Sequence, residues 1–344
     1  MMHATAATHG HARSAAPVPR PPVALIAAIA TAAAVAVAVL LVAALRRDAP
    51  GRSAIATAVP VHLASHLASP AQGAFGGWSE PSGIVALGER RFVLDTGHNR
   101  VIELGANGAI KQALTARPAL KEPMALATDG RDLYVADSLG ARVVVLATDG
   151  GQLRAFPVGV PGDAMPARPI GIAVAANGDV LVSDAANQRV SRYDAAGRLV
   201  WSMGTGRRSA GDAGFNTPAG LALDAAGNVY AVDILNGRVV KLSPDGHYLG
   251  QYGHLGNGAG ALARPKDVAL DAAGNVYISD SLLDAVQVFA ADGEYRGFIG
   301  LKDPADRRSG ALFRSPAGLA ISGSTLYVVD RLSSVYVLDL PGGR

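Results

Sequence analysis

Six aspartates recur at one position of a repeated unit, and four of them are followed five residues later by an arginine. Converging carboxylates can bind a metal ion or exchange protons with a substrate, whereas a carboxylate beside a guanidinium can hold a turn. A residue that every repeat needs is better explained by folding than by a single reaction centre. We therefore predict a structural role for these aspartates, with no catalytic residue and no metal ligand in the chain. The aspartates are Asp95, Asp137, Asp184, Asp233, Asp280 and Asp330, and the arginines are Arg100, Arg142, Arg189 and Arg238.

A second set of candidate residues lies in the irregular segments that join the repeats. Long loops on one face of a rigid scaffold are where ligands usually bind. Basic residues modestly outnumber acidic ones there, so we predict that this face binds an anionic ligand or a protein. The alternative is that these are solvated loop charges. The basic candidates are Arg168, Arg207, Arg208, Arg264, Lys266, Arg307, Arg308 and Arg314.

Other kinds of chemistry find little support in the residue types. The chain contains no cysteine, so it has neither a disulfide nor a thiolate ligand. Its histidines are scattered: three lie in the N-terminal tail, and His62 and His66 precede the first repeat, so no three are expected to converge as a zinc site requires. A phosphate-binding glycine loop and a nucleophile elbow are absent. Few aromatic residues accompany the loop arginines, so we expect neither nucleic-acid binding nor a cofactor.

Short strands must position these residues, because every repeat has the same order of apolar runs and turns. In the fourth repeat, the apolar runs 221–223, 229–232, 238–242 and 248–252 are separated by turns rich in glycine, aspartate and proline. Gly227 in the first turn can adopt the positive φ that such hairpins need. The fifth repeat copies this order. Each repeat is therefore predicted to be a four-stranded antiparallel sheet.

The period of the repeat predicts the overall architecture. Each repeat begins at a proline, the Pro-to-Asp interval is 14 or 15 residues, and the repeats start 42 to 51 residues apart. Four-stranded units of this size are typical of propeller blades. We predict an all-β domain over residues 61–344, a six-bladed β-propeller in which residues 61–67 supply the strand that the sixth repeat lacks. The prolines are Pro81, Pro123, Pro169, Pro218, Pro265 and Pro316.

Several segments resemble the NHL repeat. They are the Asp-Thr-Gly-His-Asn-Arg-Val of residues 95–101, the Asp-Ala-Ala-Asn-Gln-Arg-Val of residues 184–190 and the lead-in at residues 204–220. The resemblance extends over nearly all of residues 60–340 and implies a six-bladed propeller. It also implies a family best known for binding proteins, RNA or other ligands, with only some enzymes. Propellers of similar shape include gluconolactonase-type hydrolases, with carboxylate and asparagine metal ligands, and amidating lyases, with a ring of histidines.

The N-terminal region has a different composition from the repeats. Residues 1–22 have no apolar periodicity and are predicted to be disordered. Residues 23–45 are apolar apart from one threonine, long enough to cross a bilayer as a helix, and followed by Arg46 and Arg47. Residues 46–60 are predicted to be a linker. We therefore expect a single-pass anchor in the inner membrane, with a cleaved signal or a buried helix as the alternatives. The layout favours an extracytoplasmic propeller, although the count of flanking arginines slightly favours the opposite orientation.

Two functions are compatible with this pattern. The first, which we favour, is a membrane-tethered, non-catalytic binding or scaffold module that uses one propeller face to bind a protein or an anionic ligand. The alternative is a propeller enzyme, a lactonase-like hydrolase or a lyase, with a metal in the central channel. The fifth and sixth repeats have Ala285 and Val335 where the others have arginine. This difference is either drift or a sector of the face that is free to meet a partner.

Overall fold

The described part of the protein is built almost entirely from strands. The computed structural model describes residues 58–70, 75–302, 310–332 and 334–341. Within these residues, six four-stranded antiparallel sheets form, and two further short strands pair in parallel. We call the sheets blades 1 to 6.

The first five blades each take four consecutive strands from the chain. The strands of blade 1 are β2 (Pro81–Leu87), β3 (Arg90–Asp95), β4 (Arg100–Leu104) and β5 (Ile110–Leu114), and those of blade 2 are β6 (Pro123–Thr128), β7 (Leu133–Asp137), β8 (Arg142–Leu146) and β9 (Gln152–Pro157). Blade 3 contains β10 (Pro169–Val174), β11 (Val180–Asp184), β12 (Arg189–Tyr193) and β13 (Leu199–Met203), and blade 4 contains β14 (Pro218–Leu223), β15 (Val229–Asp233), β16 (Arg238–Leu242) and β17 (Tyr248–Tyr252). The short pair β18 (His254–Leu255) and β19 (Ala261–Leu262) precedes blade 5, which contains β20 (Pro265–Leu270), β21 (Val276–Asp280), β22 (Ala285–Phe289) and β23 (Tyr295–Ile299). Blade 6 contains β24 (Pro316–Ser322), β25 (Thr325–Asp330) and β26 (Ser334–Asp339), with β1 (His62–Ala68) as its fourth strand.

The blades are arranged in a closed ring. The first strand of each blade contacts the first strand of the next, from β2 through β6, β10, β14, β20 and β24 back to β2. The second strands are apolar and buried on both faces, as all five residues of β15 show, because each blade packs between two neighbours. The prediction of an all-β, six-bladed propeller is therefore confirmed.

The N-terminal strand closes this ring. β1 pairs antiparallel with β26, from His62 opposite Asp339 to Ala68 opposite Ser334. Leu67 on β1 is buried in the apolar core between blades 6 and 1. The prediction that residues 61–67 complete the sixth blade is confirmed to within one residue. Both ends of the domain thus meet in one sheet, which leaves no blade short of an outer strand.

One face of the propeller carries the start of every first strand and the end of every second strand. In blade 1, Pro81 at the start of β2 is paired with Asp95 at the end of β3, and the equivalent pair recurs in the other five blades. The connections between blades and the turns into the third strands therefore lie on this face. We call it the mouth face, and the opening of the central channel on it the mouth.

The predicted N-terminal segments lie largely outside this description. The tail at residues 1–22, the membrane helix at residues 23–45 and most of the linker at residues 46–60 are not among the described residues. Within the residues that are described, no helix is both long and apolar enough to span a membrane.

Candidate functional site at the mouth of the channel

The six repeated aspartates are buried and hydrogen-bonded within turns of the mouth face. In blade 4, Asp233 accepts hydrogen bonds from the backbone N–H of Asn216 at 2.7 Å, the side-chain amide of Asn236 at 2.7 Å and the Nε of Arg238 at 3.0 Å. Burial raises the pKa of Asp233, and these donors oppose the rise. The contacts are those expected of a structural residue. The role itself stays a prediction and is tested below.

Blade 3 departs from the common pattern, and the expectation that Arg189 returns to Asp184 is wrong. In blades 1, 2 and 4 the arginine Nε lies within 3.0 Å of the aspartate. In blade 3, Arg189 instead contacts Asp163 in the preceding loop at 3.1 Å. The amide of Asn187 donates to Asp184 at 2.8 Å, as that of Asn236 does to Asp233 in blade 4. The position of Arg189 in the repeat, five residues after Asp184, does not indicate that its side chain contacts Asp163.

In blades 5 and 6, the repeated aspartate is hydrogen-bonded without an arginine. Asp280 accepts backbone N–H groups from Ala263 at 2.7 Å, Arg264 at 3.1 Å and Leu282 at 3.0 Å. Asp330 likewise accepts the N–H of Arg314 at 2.7 Å. Because backbone donors bond these aspartates, the loss of the arginine does not leave a free carboxylate on this sector of the face.

The basic residues predicted to bind a ligand are found in different environments. Arg168 forms an exposed ion pair with Glu122 at 3.3 Å. Lys266 differs from the other described candidates because its side chain is half-buried at the mouth. Arg168, Arg207, Arg208, Arg264 and Arg314 are exposed, and Arg307 and Arg308 lie outside the described residues.

The innermost side chains distinguish blade 5 from the other blades. Each first strand begins with proline, followed by two positions next to the axis. Five blades have small or apolar residues at both positions, whereas blade 5 has Lys266 and Asp267. The first position is Ser82, Met124, Ile170, Ala219 or Ala317, and the second is Gly83, Ala125, Gly171, Gly220 or Gly318.

Close approach of the first strands explains why the second position is small. A Cβ atom added at Gly171 would overlap the carbonyl oxygen of Ala219 in the next blade, and one added at Gly318 would lie 2.5 Å from the carbonyl oxygen of Ser82. These distances are too short for ordinary side chains. A charged residue at this position in one blade is therefore a specific departure from the needs of packing.

Asp267 lies between the first strands of blades 4 and 6. Its Oδ2 accepts the backbone N–H of Leu319 at 2.8 Å, and its Oδ1 accepts the N–H of Val268 at 2.9 Å. A side chain at Gly220, in blade 4, would overlap the same carboxylate. Burial raises the pKa of Asp267 to about 7, and the two backbone donors oppose the rise. Its carboxyl group therefore changes protonation state near neutral pH.

Lys266 precedes Asp267 and reaches the mouth. It forms no ion pair with a described residue. Burial, together with the nearby Arg264 and Arg331, lowers the pKa of Lys266 to about 8, and Asp280 opposes the change. A half-buried amine and a carboxyl group that both titrate near neutral pH, on adjacent residues at the axis, are typical of a reactive site.

A cavity opens on the mouth face at blades 1, 2 and 6. It has a volume of about 570 Å³ and is lined by Met124, Leu139 and Arg331, among other residues of blades 1, 2 and 6. Arg331 also forms an ion pair with Glu80 at 2.8 Å and is a charged neighbour of Lys266. Neither Lys266 nor Asp267 lines the cavity, and its volume suits a small organic ligand.

Comparison with known proteins agrees with the fold. The family model described as "SMP-30/Gluconolactonase/LRE-like region" matches residues 76–211. The NHL assignment is not confirmed. No curated protein matches the chain.

Solved structures of other proteins superimpose on most of the chain. A putative gluconolactonase is 17% identical, with a TM-score of 0.59, and 83% of this chain and 97% of that chain are covered. A catalytically inactive variant of virginiamycin B lyase from Staphylococcus aureus, solved with quinupristin, is 13% identical, with a TM-score of 0.57 and coverage of 82% and 100%. A Bacteroides thetaiotaomicron protein of unknown function is 15% identical, with a TM-score of 0.59 and coverage of 83% and 74%. At these identities the likeness shows the fold alone.

The mouth residues that the structure describes do not form a metal site of the kind expected for the enzyme alternative. Asp267 is the one carboxylate among the twelve axial positions. Among the described residues, no group of three or more histidine, cysteine, aspartate or glutamate side chains could hold a metal ion. Among the twelve axial positions, Lys266 and Asp267 are the charged residues.

Two of the described histidines have structural contacts. His98 bonds the buried carboxylate of Asp95 at 2.9 Å, and the ring of His66 stacks on Tyr336 with centroids 4.5 Å apart. Sequence reasoning counted Asp267 only as one of the acidic loop residues. The available signal was the charged Lys266–Asp267 sequence after the repeated proline, where the other repeats have two small or apolar residues.

Proposed function

We propose that the protein is an enzyme that cleaves an ester-type C–O bond in a small molecule, as a lactonase-like hydrolase or a lyase. The observation that carries the proposal is the Lys266–Asp267 pair at the axis, where the other five blades have small or apolar residues. The match to a gluconolactonase-type family model and the likeness to a lyase structure support this reaction class over a non-catalytic module. The protein is proposed to work without the metal that the sequence-based alternative includes.

The two side chains suit complementary roles. The carboxylate of Asp267 acts as the general base. It takes a proton from a water molecule while the oxygen of that water bonds to the ester carbonyl carbon. The C–O bond to the leaving oxygen then breaks, and the proton passes from Asp267 to that oxygen. The ammonium group of Lys266 attracts the negative charge that develops on the substrate. In the lyase version, Asp267 takes the proton from a carbon next to the breaking bond.

A panel of cyclic esters tests this proposal and predicts the effect of removing the amine. Full-length protein should convert at least one lactone, and mass spectrometry distinguishes hydrolysis, which adds one water, from elimination, which adds none. We expect Lys266→Met to lower kcat/KM by roughly 10- to 100-fold, because oxyanion stabilisation is lost. Treatment with EDTA should leave the rate unchanged.

Lys302→Met is the matched control, because Lys302 is an exposed lysine in a connecting loop of the same face and is not one of the predicted ligand-binding residues. This variant should retain the wild-type rate. Turnover that EDTA abolishes, or an equal loss in both variants, would contradict the proposed role of the mouth.

A further inference from the structure

Four blades display a leucine on the mouth face, two residues after the repeated aspartate. Leu235 and Leu332 are 50% and 62% exposed, and Leu139 is 57% exposed. Leu282 is half-buried. We call these four residues the leucine rim. Three of them belong to the adjacent blades 4, 5 and 6, which are the blades around Asp267.

The turn itself does not need a leucine. Gly97 and Ala186 occupy the equivalent position in blades 1 and 3. In each rim turn the backbone is held by hydrogen bonds, such as that from the N–H of Leu235 to the carbonyl of Asn216 at 3.0 Å and that from the N–H of Leu332 to Asp330 at 3.0 Å. The side chains are thus presented to solvent from fixed positions, without a packing role that requires them.

Further apolar surface adjoins the rim. Leu255 follows blade 4 and is 62% exposed. It is close to the rim, because a Cβ atom added at Gly237, two residues after Leu235, would lie 2.5 Å from the Cα of Leu255. Leu139 lines the cavity together with Met124. Large exposed apolar patches on one face of a protein commonly mark binding sites.

The charges of the same sector are complementary to an anion. Arg264 is exposed and Lys266 is half-buried. Neither forms an ion pair with a described residue, whereas Arg331 is paired with Glu80. A ligand with an anionic group at Lys266 and an apolar chain on Leu235 or Leu332, which lie on the blades to either side of blade 5, would use both features. A purely polar ligand would leave the leucines unused.

We propose that the substrate is amphipathic, with a carboxylate or ester group at Lys266 and an alkyl or other apolar chain on the leucine rim. This inference rests on the proposed function for the place of the reacting group. Its test uses binding and does not require turnover.

The test measures the affinity of the full-length protein for straight-chain carboxylates from hexanoate to decanoate, by calorimetry. Wild-type affinity should rise with each methylene, by up to about fourfold if each becomes fully buried. The double variant Leu235→Ser, Leu332→Ser should reduce this increment at least by half, whereas Lys266→Met should weaken the whole series and leave the increment unchanged.

The matched control is Leu153→Ser with Leu249→Ser, because each of these leucines is 53% exposed but lies on an outer strand. This variant should behave as wild type. A flat series, or an increment equally reduced in both double variants, would overturn the inference. So would a rim that acts only in self-association or only in binding to anionic lipid vesicles. Lactone turnover with a flat series would overturn it while leaving the proposed function intact.

Discussion

Replacing Asp267 with asparagine should lower kcat/KM for C–O cleavage by about 100- to 10,000-fold, the usual contribution of a general base. Asparagine keeps an oxygen that can accept the Leu319 N–H, which the carboxylate accepts at 2.8 Å, but it cannot take a proton. The propeller should therefore fold as in the wild type, while the proton transfer by Asp267 is lost. Steady-state kinetics on the lactone identified with the wild-type protein provides the measurement.

Asp267→Asn should also change the pH dependence of the free energy of unfolding. Burial raises the pKa of Asp267 to about 7 in the folded protein, well above that of an aspartate in an unfolded chain. The folded state therefore holds this proton more tightly, and the associated stability is present at acid pH and lost as pH rises through about 7. Asp267→Asn should be at least as stable as wild type at pH 8, as measured by chemical denaturation.

Asp292→Asn is a suitable control, since Asp292 lies in an exposed outer hairpin of the same blade and accepts the N–H of Glu294 at 3.0 Å. It should retain both activity and stability. If Asp267→Asn lost activity only in proportion to its unfolded fraction, Asp267 would be a structural residue that links neighbouring blades rather than a general base.

Asp233→Ala should destabilise the propeller by about 3–5 kcal/mol, because the buried Arg238 would lose its carboxylate partner. Arg238 is only 5% exposed, so water cannot easily replace that partner. The free energy of unfolding from denaturant titration gives the measurement. The KM of the folded fraction should not change.

A double variant separates the ion pair from the other contacts of Asp233. Replacing Arg238 by leucine as well should restore part of the lost stability, since no buried charge is then left unpaired. A fully stable Asp233→Ala protein that selectively lost ligand binding would show that the repeated aspartates are functional and would contradict the structural role.

The fold could be predicted from the sequence because the same order of strands and turns recurs in every repeat. A strand order that recurs six times excludes most architectures, and the sixth repeat's missing strand indicates that residues near His62 must close the ring. By contrast, the partner of Arg189 depends on the path of the preceding loop to Asp163. Spacing within a repeat contains no information about that path.

The candidate site was only partly predictable. Lys266 was recognised as a candidate, but as one loop cation among eight rather than as the half-buried residue at the axis. The neutral-range pKa of Asp267 results from the close approach of three first strands, which are far apart in sequence. A comparison of the repeats with one another, position by position, would have drawn attention to this residue. Its environment requires the closed ring.

The pH dependence of kcat/KM in wild type and Lys266→Met is the most direct test that the mouth pair carries the chemistry. The wild-type rate should rise as pH increases through about 7, where Asp267 loses its proton, and fall above about 8, where Lys266 loses its own. Lys266→Met should keep the acid limb and lose the alkaline one. An unchanged profile in the variant, or a rate that follows added metal rather than pH, would contradict the account.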